Sequence, residues 1–236
     1  MIGVDLQMIK YVDGTVFNQK ADAIVNTVNT VGVMGAGLAL EFALRYPEMA
    51  SAYEEKCKSR SIAIGKLDYY KARDVLIINF PTKIHFKYPS KIEWIEAGLR
   101  QFVSTYRSEG VTSVAFPRLG TSNGGLNWDD VSALMEKFLS PLDIDVYICL
   151  DRKGAEGLEK NMVDKYNNTN FAYPIEGVRL TRKQIDVLEN SKPINRFWQI
   201  KELDGIGITC YKRLFNYCKS ETDTHAEQIS FDEWFQ

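Results

Sequence analysis

Histidine is nearly absent from this chain, cysteine is sparse, and neither charge nor apolar length is in excess; each shortage closes off a class of protein. The two histidines, His85 and His225, and the four cysteines, Cys57, Cys149, Cys210 and Cys218, form no CxxC pair and no zinc-ligand spacing, so disulfide scaffolds and classical metallo-hydrolases drop out. No metal and no resident cofactor is expected. Against 31 acidic residues stand 29 basic ones, a formal charge of −2, which argues against coating nucleic acid or an anionic membrane by bulk charge. Any nucleic-acid contact must be a local patch. No apolar run approaches the roughly 18 to 20 residues that span a bilayer, and the opening MIGVDLQMIKYVDG lacks the charged start and long apolar stretch of a signal peptide. The expected compartment is the cytosol, with no membrane partner.

What is present is ordinary globular composition, 45% hydrophobic and 25% charged over 236 residues, enough for one large domain or one plus a small appendage. Residues 22–28 (DAIVNTV), 74–80 (DVLIINF), 112–117 (TSVAFP) and 143–150 (DIDVYICL) are short apolar runs rich in β-branched residues and read as buried strands. Between them, residues 37–46, 91–106 and 127–140 space their apolar positions by three and four, as amphipathic helices do, with Pro47 following the first. Alternating strand and helix predicts an α/β layered domain over residues 1–151.

After Asp151 the pattern changes. Residues 152–175 are polar and interrupted by Asn167, Asn168 and Asn170, and read as a linker or irregular arm. Residues 176–219 offer two or three short helical patterns, LTRKQIDVLEN, INRFWQIKEL and TCYKRLFNYC, a compact helical module. From 220 to 236 the chain carries five acids and no Lys or Arg and ends in aromatics, a docking peptide or a loosely packed end.

Two glycine loops carry the functional signal. VNTVNTVGVMGAG, residues 25–37, runs from a strand into a helix; Gly32, Gly35 and Gly37 remove Cβ atoms that would block a ligand, and a helix N-terminus offers N–H groups and a positive dipole end to a phosphate. The spacing is neither G-x-G-x-x-G nor a P-loop. Glycines that merely serve tight turns are the alternative. PRLGTSNGGLNW, residues 117–128, repeats the strand, glycine turn, helix arrangement, and two such loops at the carboxyl ends of strands can clamp a diphosphate. Lys83 ends a strand after Pro81 in a stretch poor in polar residues, where partial burial would lower its pKa and make a neutral amine available; the alternative is a surface lysine on a loop.

VNTVNTVGVMGAGLALEF, INFPTKIHF at residues 78–86 and PRLGTSNGGLNW, in that order, resemble the macrodomain family, and within it the DarG-type antitoxin macrodomains and the terminal ADP-ribose protein glycohydrolase. The resemblance implies a three-layer α/β/α fold around a central mixed sheet, an ADP-ribose cleft, and removal of ADP-ribose from a modified macromolecule. It also implies roles. Thr15 and Val16 would lie at the adenine, and Asn29 at the distal ribose. Gly32, Val33, Met34, Gly35, Ala36 and Gly37, with Gly120, Thr121, Ser122, Asn123, Gly124 and Gly125, would wrap the diphosphate. Lys83 would be catalytic, and His85 a structural or substrate-contact residue. Thr15 stands where many macrodomains have an adenine-binding aspartate. Thr121, Ser122 and Asn123 replace the usual Gly-Cys-Gly. Gly124 stands where the protein-directed relative has the aspartate that partners its lysine, which shifts the expected substrate toward DNA.

Residues 180–215 resemble the helix-turn-helix of response regulators, and IKELDGIG a helix-hairpin-helix. Arg182, Lys183, Thr209, Lys212 and Arg213 are the candidate DNA contacts, in a stretch with nine basic residues against five acids over 176–219. A helical domain that binds a protein partner or caps the macrodomain is the alternative. The leading expectation is a glycohydrolase that removes ADP-ribose from DNA bases, probed best on single strands, countering a DarT-like ADP-ribosyltransferase toxin. Its rivals are a noncatalytic ADP-ribose reader and a hydrolase of protein-linked or O-acetyl-ADP-ribose.

Overall fold

The apolar runs pair side by side in the computed structural model, which describes residues 9–232, with side chains as far as residue 220. β2 (Ala23–Asn29), β4 (Leu76–Lys83), β5 (Ser113–Pro117) and β6 (Asp145–Cys149) share one six-stranded sheet with β1 (Lys10–Val12) and β3 (Asp68–Lys71). The two additional strands are too short for their apolar pattern to announce them. The order is β1-β6-β5-β2-β4-β3, parallel throughout except for the antiparallel β3–β4 pair, so the sheet is mixed.

Helices cover both faces. α1 (Gly37–Arg45) and α2 (Pro47–Lys58) lie on one, where Phe42, Met49 and Tyr53 join Ile24, Val28 and Ile77 in a buried cluster. On the other, α3 (Ile92–Thr105) and α4 (Trp128–Leu139) bring Leu99, Phe102, Val131 and Met135 against Val25, Ile78, Phe80 and Val114. The expected α/β/α layering is therefore present. α2 escapes the sequence pattern because Pro47 looks like a stop; here it occupies the first turn of the next helix, where its missing N–H costs nothing, and Met49, Tyr53 and Cys57 follow at one-turn spacing on the buried side.

A buried polar row fixes the register of three strands. Asn26 Nδ2 donates to Asn79 Oδ1 at 2.9 Å, Asn79 Nδ2 donates to Asp68 Oδ2 at 3.0 Å, and Lys56 closes the row on Asp68 from α2. A one-residue slip of β2, β3 or β4 would turn these groups into the opposite apolar layer with no partners.

A second compact unit begins at Lys153, one residue past the expected boundary. Its first element corrects the reading of residues 152–175 as a linker or arm: α5 (Gly157–Asn168) buries Glu159, Met162, Val163 and Tyr166, spaced as one helical face. The acid at the first of these positions hides the stripe. Glu159 is accommodated because both its oxygens accept from Arg196 Nε at 3.0 Å and Oε1 also accepts from the Phe197 N–H at 2.9 Å. α6 (Arg182–Asn190) opens with a capping box, the Thr181 hydroxyl accepting from the Gln184 N–H and the Gln184 side chain accepting from the Thr181 N–H. A 3-10 helix, Phe197–Glu202, stands where INRFWQIKEL suggested a second α-helix, and α7 (Ile208–Asp232) follows. Phe197, Tyr211 and Phe215 pack with Tyr166 and Phe171 as an aromatic core. The backbone of α7 runs into the acidic stretch, while the side chains from 221 and residues 233–236 lie outside the described residues. No helix among the described residues is long and apolar enough to cross a membrane.

Removing one partner of a buried, hydrogen-bonded ion pair strands the other charge. Glu159→Ala is therefore expected to destabilise the second unit by about 3–5 kcal/mol. Native-state hydrogen exchange on the α5 and α7 amides of the full chain measures this, and unchanged protection would show that the pair contributes nothing.

Candidate functional site

The chain leaving β2 crosses to the α1/α2 face, whereas the chains leaving its neighbours β4 and β5 cross to the α3/α4 face. The connections part at the carboxyl end of β2 and leave a crevice there, the position where open α/β sheets take ligands. Both glycine loops and Lys83 start from that end.

Asn29 builds the first loop. Its Nδ2 donates to the Val33 carbonyl at 2.7 Å, and its Oδ1 accepts from the Val31 and Val33 N–H groups, each at 3.2 Å. Both acceptor positions of the side-chain oxygen are thus committed to the loop, with the expected ribose contact left to the remaining amide hydrogen. Gly32 packs against α2, while the Met34 side chain turns into the core beneath, its Sδ 3.9 Å from Asn26 Nδ2. Val16 is likewise a core residue, 1% exposed, so at the expected adenine side it has only backbone to offer beside the half-buried Thr15.

What remains exposed is Val33, Gly35, Ala36 and Gly37. α1 starts there with no side-chain cap and no acid in its first turn, so its leading N–H groups present an uncompensated positive end. At Gly35 an added Cβ would meet only Val33 Cγ1, at 3.7 Å. Nothing inside the protein requires glycine there; what it leaves is open space in front of the helix end.

The second loop differs. Asn127 caps α4, its side chain accepting from the Asp129 and Asp130 N–H groups at 2.8 and 3.3 Å, and those two acids fill the first turn. α4 is closed to anions, and the loop can contribute only its own backbone and side chains. Gly120 accepts from the Leu126 N–H at 3.1 Å, the Gly125 N–H donates to Ser122 at 3.2 Å, and the Thr121 hydroxyl donates to Arg118 at 3.2 Å. At Gly124 a Cβ would fall 2.2 Å from the Gly120 carbonyl oxygen and 2.4 Å from Ser90 Oγ. No side chain fits in this loop conformation, least of all a carboxylate. Ser122 and Asn123 are exposed.

Lys83 joins the two loops. Val28 pairs with Pro81 but Asn29 pairs with Lys83, leaving Thr82 as the extra residue of a bulge that re-aims the end of β4. The half-buried Lys83 then reaches across the end of β2 and donates from Nζ to the Asn123 carbonyl. Asn123 in turn lies over the start of α1, its Nδ2 2.7 Å from where a Cβ at Gly37 would be. Burial pushes the Lys83 amine below the ordinary lysine range. His85 sits in the following turn with Nδ1 accepting from the Lys87 N–H at 3.2 Å.

The electrostatics are one-sided. Residues 23–40, 75–92 and 113–128, which supply these three segments, contain no Asp or Glu, and their cations are Lys83, Lys87, Lys91 and Arg118. Such a crevice suits an anion, and the paired carboxylates of ordinary glycoside hydrolysis are not among these segments.

In the second unit, Arg182, Lys183, Thr209, Lys212 and Arg213 are all exposed. Gln184 Nε2 donates to the Gly205 carbonyl at 3.2 Å and Lys183 lies 3.9 Å from Asp204, which sets the start of α6 beside the turn that leads into α7. Arg182 and Lys183 thus stand beside that turn, where Asp204 offsets part of their positive charge, and Thr209, Lys212 and Arg213 are exposed on α7 itself.

Against known families, residues 25–135 match the Macro domain. A solved macrodomain of Mycobacterium tuberculosis DarG is 46% identical, with a TM-score of 0.57 over 60% of this chain and 97% of that one. The chain belongs to the macrodomain family. The Mycobacterium tuberculosis protein named DNA ADP-ribosyl glycohydrolase is 40% identical over 187 residues, 77% of this chain and 49% of that protein. That share exceeds what the first unit alone can supply, so the macrodomain's similarity to this relative continues into the second. A Thermosipho africanus DarTG structure in complex with ADP-ribose is 37% identical, TM-score 0.57, over 59% of this chain and 40% of that one. The macrodomain chain spans about half the length of the curated relatives it matches.

Because the space at Gly35 is open, Gly35→Val should fold and melt as the parent does yet lose the rise in melting temperature that ADP-ribose produces by mass action. Calorimetric titration of the variant with ADP-ribose checks this; undiminished binding would remove the first loop from the site.

Proposed function

We propose that this macrodomain protein is an ADP-ribosyl glycohydrolase that releases ADP-ribose from modified DNA bases, with Lys83 as the catalytic residue, ADP-ribose as product and no resident cofactor. One observation carries the reading: a partly desolvated amine is held between an uncapped helix N-terminus and a glycine loop, with no carboxylate in the three segments around it. The helix end and loop backbones suit a diphosphate, and a neutral Lys83 would either attack the sugar carbon as its bond to the base breaks or position water to do so. The packing at Gly124 supports a DNA substrate over a protein one, since the loop has no room for the acid that a protein-directed relative employs. The names of the curated relatives point the same way. A DarT-like ADP-ribosyltransferase is the partner this role implies, and four cysteines that form no disulfide suit the cytosol.

Lys83→Ala should bind ADP-ribose but release it from ADP-ribosylated single-stranded DNA about a hundredfold more slowly or worse, the scale of losing one catalytic group. Lys83→Arg should fail too, because a guanidinium stays protonated. With the parent, the rate should rise with pH as the amine deprotonates, through a midpoint below the ordinary lysine value. Wild-type turnover in either variant, or release from ADP-ribosylated protein alone, would overturn the assignment.

The exposed cations of the second unit extend the proposal to longer strands. Replacing Arg182, Lys183, Lys212 and Arg213 by alanine should raise KM on a long modified strand and flatten its salt dependence, with the log–log slope shrinking by about 0.7 for each phosphate of the single strand that is no longer neutralised. Identical slopes would assign those residues to a protein partner.

A further inference from the structure

Exposed apolar side chains gather at the mouth of the crevice. Of the nine large hydrophobics exposed among the described residues, five (Val31, Val33, Ile84, Phe86 and Tyr88) lie on the loops leaving β2 and β4. In the turn after Lys83 they are aromatic: the His85 ring stacks on Phe86 at 4.3 Å and 26°, and Tyr88 lies 5.4 Å from His85 while 62% exposed. Neither ring packs into the core, and the catalytic proposal uses neither.

The backbone of the turn is also tied down by hydrogen bonds. His85 accepts from the Tyr88 N–H through its carbonyl at 3.1 Å and from the Lys87 N–H through Nδ1. Its two ends are tied to the other loops, Ile84 accepting from the Thr30 hydroxyl at 2.8 Å and the Ser90 N–H donating to Gly124 at 2.9 Å. A turn whose backbone is held in advance loses less entropy on binding. Lysines alternate with them: Lys87 lies 5.8 Å over Phe86, Lys91 follows, and no carboxylate occurs from residue 75 to 92.

We propose that Phe86 and Tyr88, with His85 between them and Lys87 alongside, form a stacking platform for unpaired bases of a single-stranded nucleic acid next to the modified nucleotide. Exposed ring faces interleaved with cations take splayed bases and their phosphates, whereas bases in a duplex are already stacked on each other. An apolar protein partner would leave the lysines unanswered, and an acidic one would leave the rings unused. The platform rests on the glycohydrolase reading, since it gives that site its strand preference.

The test is fluorescence anisotropy with a labelled, unmodified 12-nucleotide single strand. It is run on the full chain carrying Arg182→Ala, Lys183→Ala, Lys212→Ala and Arg213→Ala, so that the candidate phosphate contacts of the second unit are removed. In that background Phe86→Ala and Tyr88→Ala should each weaken binding at least about fivefold, the lower end of one base-on-ring stack. Tyr88→Phe should restore it, and the duplex form of the probe should bind more weakly than the strand. ADP-ribose affinity, measured separately by calorimetry, should stay the same in every variant. Equal strand affinity with and without the rings, no measurable strand binding at all, equal binding of duplex, or equal displacement of the probe by polyglutamate would each overturn the platform. Ring-dependent strand binding in a protein that releases no ADP-ribose from DNA would leave the platform standing and sink the glycohydrolase reading instead.

Discussion

A helix can cover only one face of a sheet, and β2 sends its chain to the face opposite the one its two neighbours use. Everything functional in the first unit depends on that parting of connections. It leaves the end of β2 uncovered, so that loops from three strands meet over it without a helix between them. The buried row of Asn26, Asn79 and Asp68 holds the registers, and the bulge at Thr82 aims Lys83 across the gap. A sheet slipped by one residue would keep its apolar area and lose this convergence, because side chains alternate faces.

The same region is defined by what its segments exclude. In the proposed reading, three segments without carboxylates suit a diphosphate and offer no acid to share catalysis, so the amine of Lys83 would be the nucleophile or water-positioning group. Burial supports that role by disfavouring the ammonium form, and the helix end opposite remains uncapped because Ala36 has no side-chain oxygen to offer. The contrast with α4 is instructive: Asn127 and two acids close its N-terminus, so two loops that look alike in sequence do different things.

How much of this is legible in the sequence depends on whether a residue's surroundings are local. The four central strands, three helices and both glycine loops show in the pattern because period and glycine punctuation are local properties. β1 and β3 do not, since three or four residues carry no period, and α5 does not, since its core face begins with a glutamate whose partner lies 37 residues away. Among site residues, Gly35, Gly37, Asn123 and Lys83 stand at the crevice. The motifs put Met34 and Val16 beside the ligand, yet both side chains point into the core, and Asn29 spends most of its amide on its own loop. A motif gives the position of a residue and not the direction of its side chain. The aromatic turn is a different case: the sequence pattern assigns Phe86 and Tyr88 no place, and the fold leaves both exposed.

Net charge constrains what each unit can do with a strand. A chain with net charge −2 cannot hold a polyanion through its overall field, so any grip on a strand has to come from local cations and from interactions that survive salt. Aromatic stacking is such an interaction, because it depends on ring area and not on counterion release. Exposed rings beside Lys83 would hold bases near the reacting sugar, while the scattered cations of the second unit act only through phosphates and are partly offset by Asp204. In the proposed reading the rings would set which strand conformation reaches Lys83, and the cations of the second unit would add phosphate contacts only.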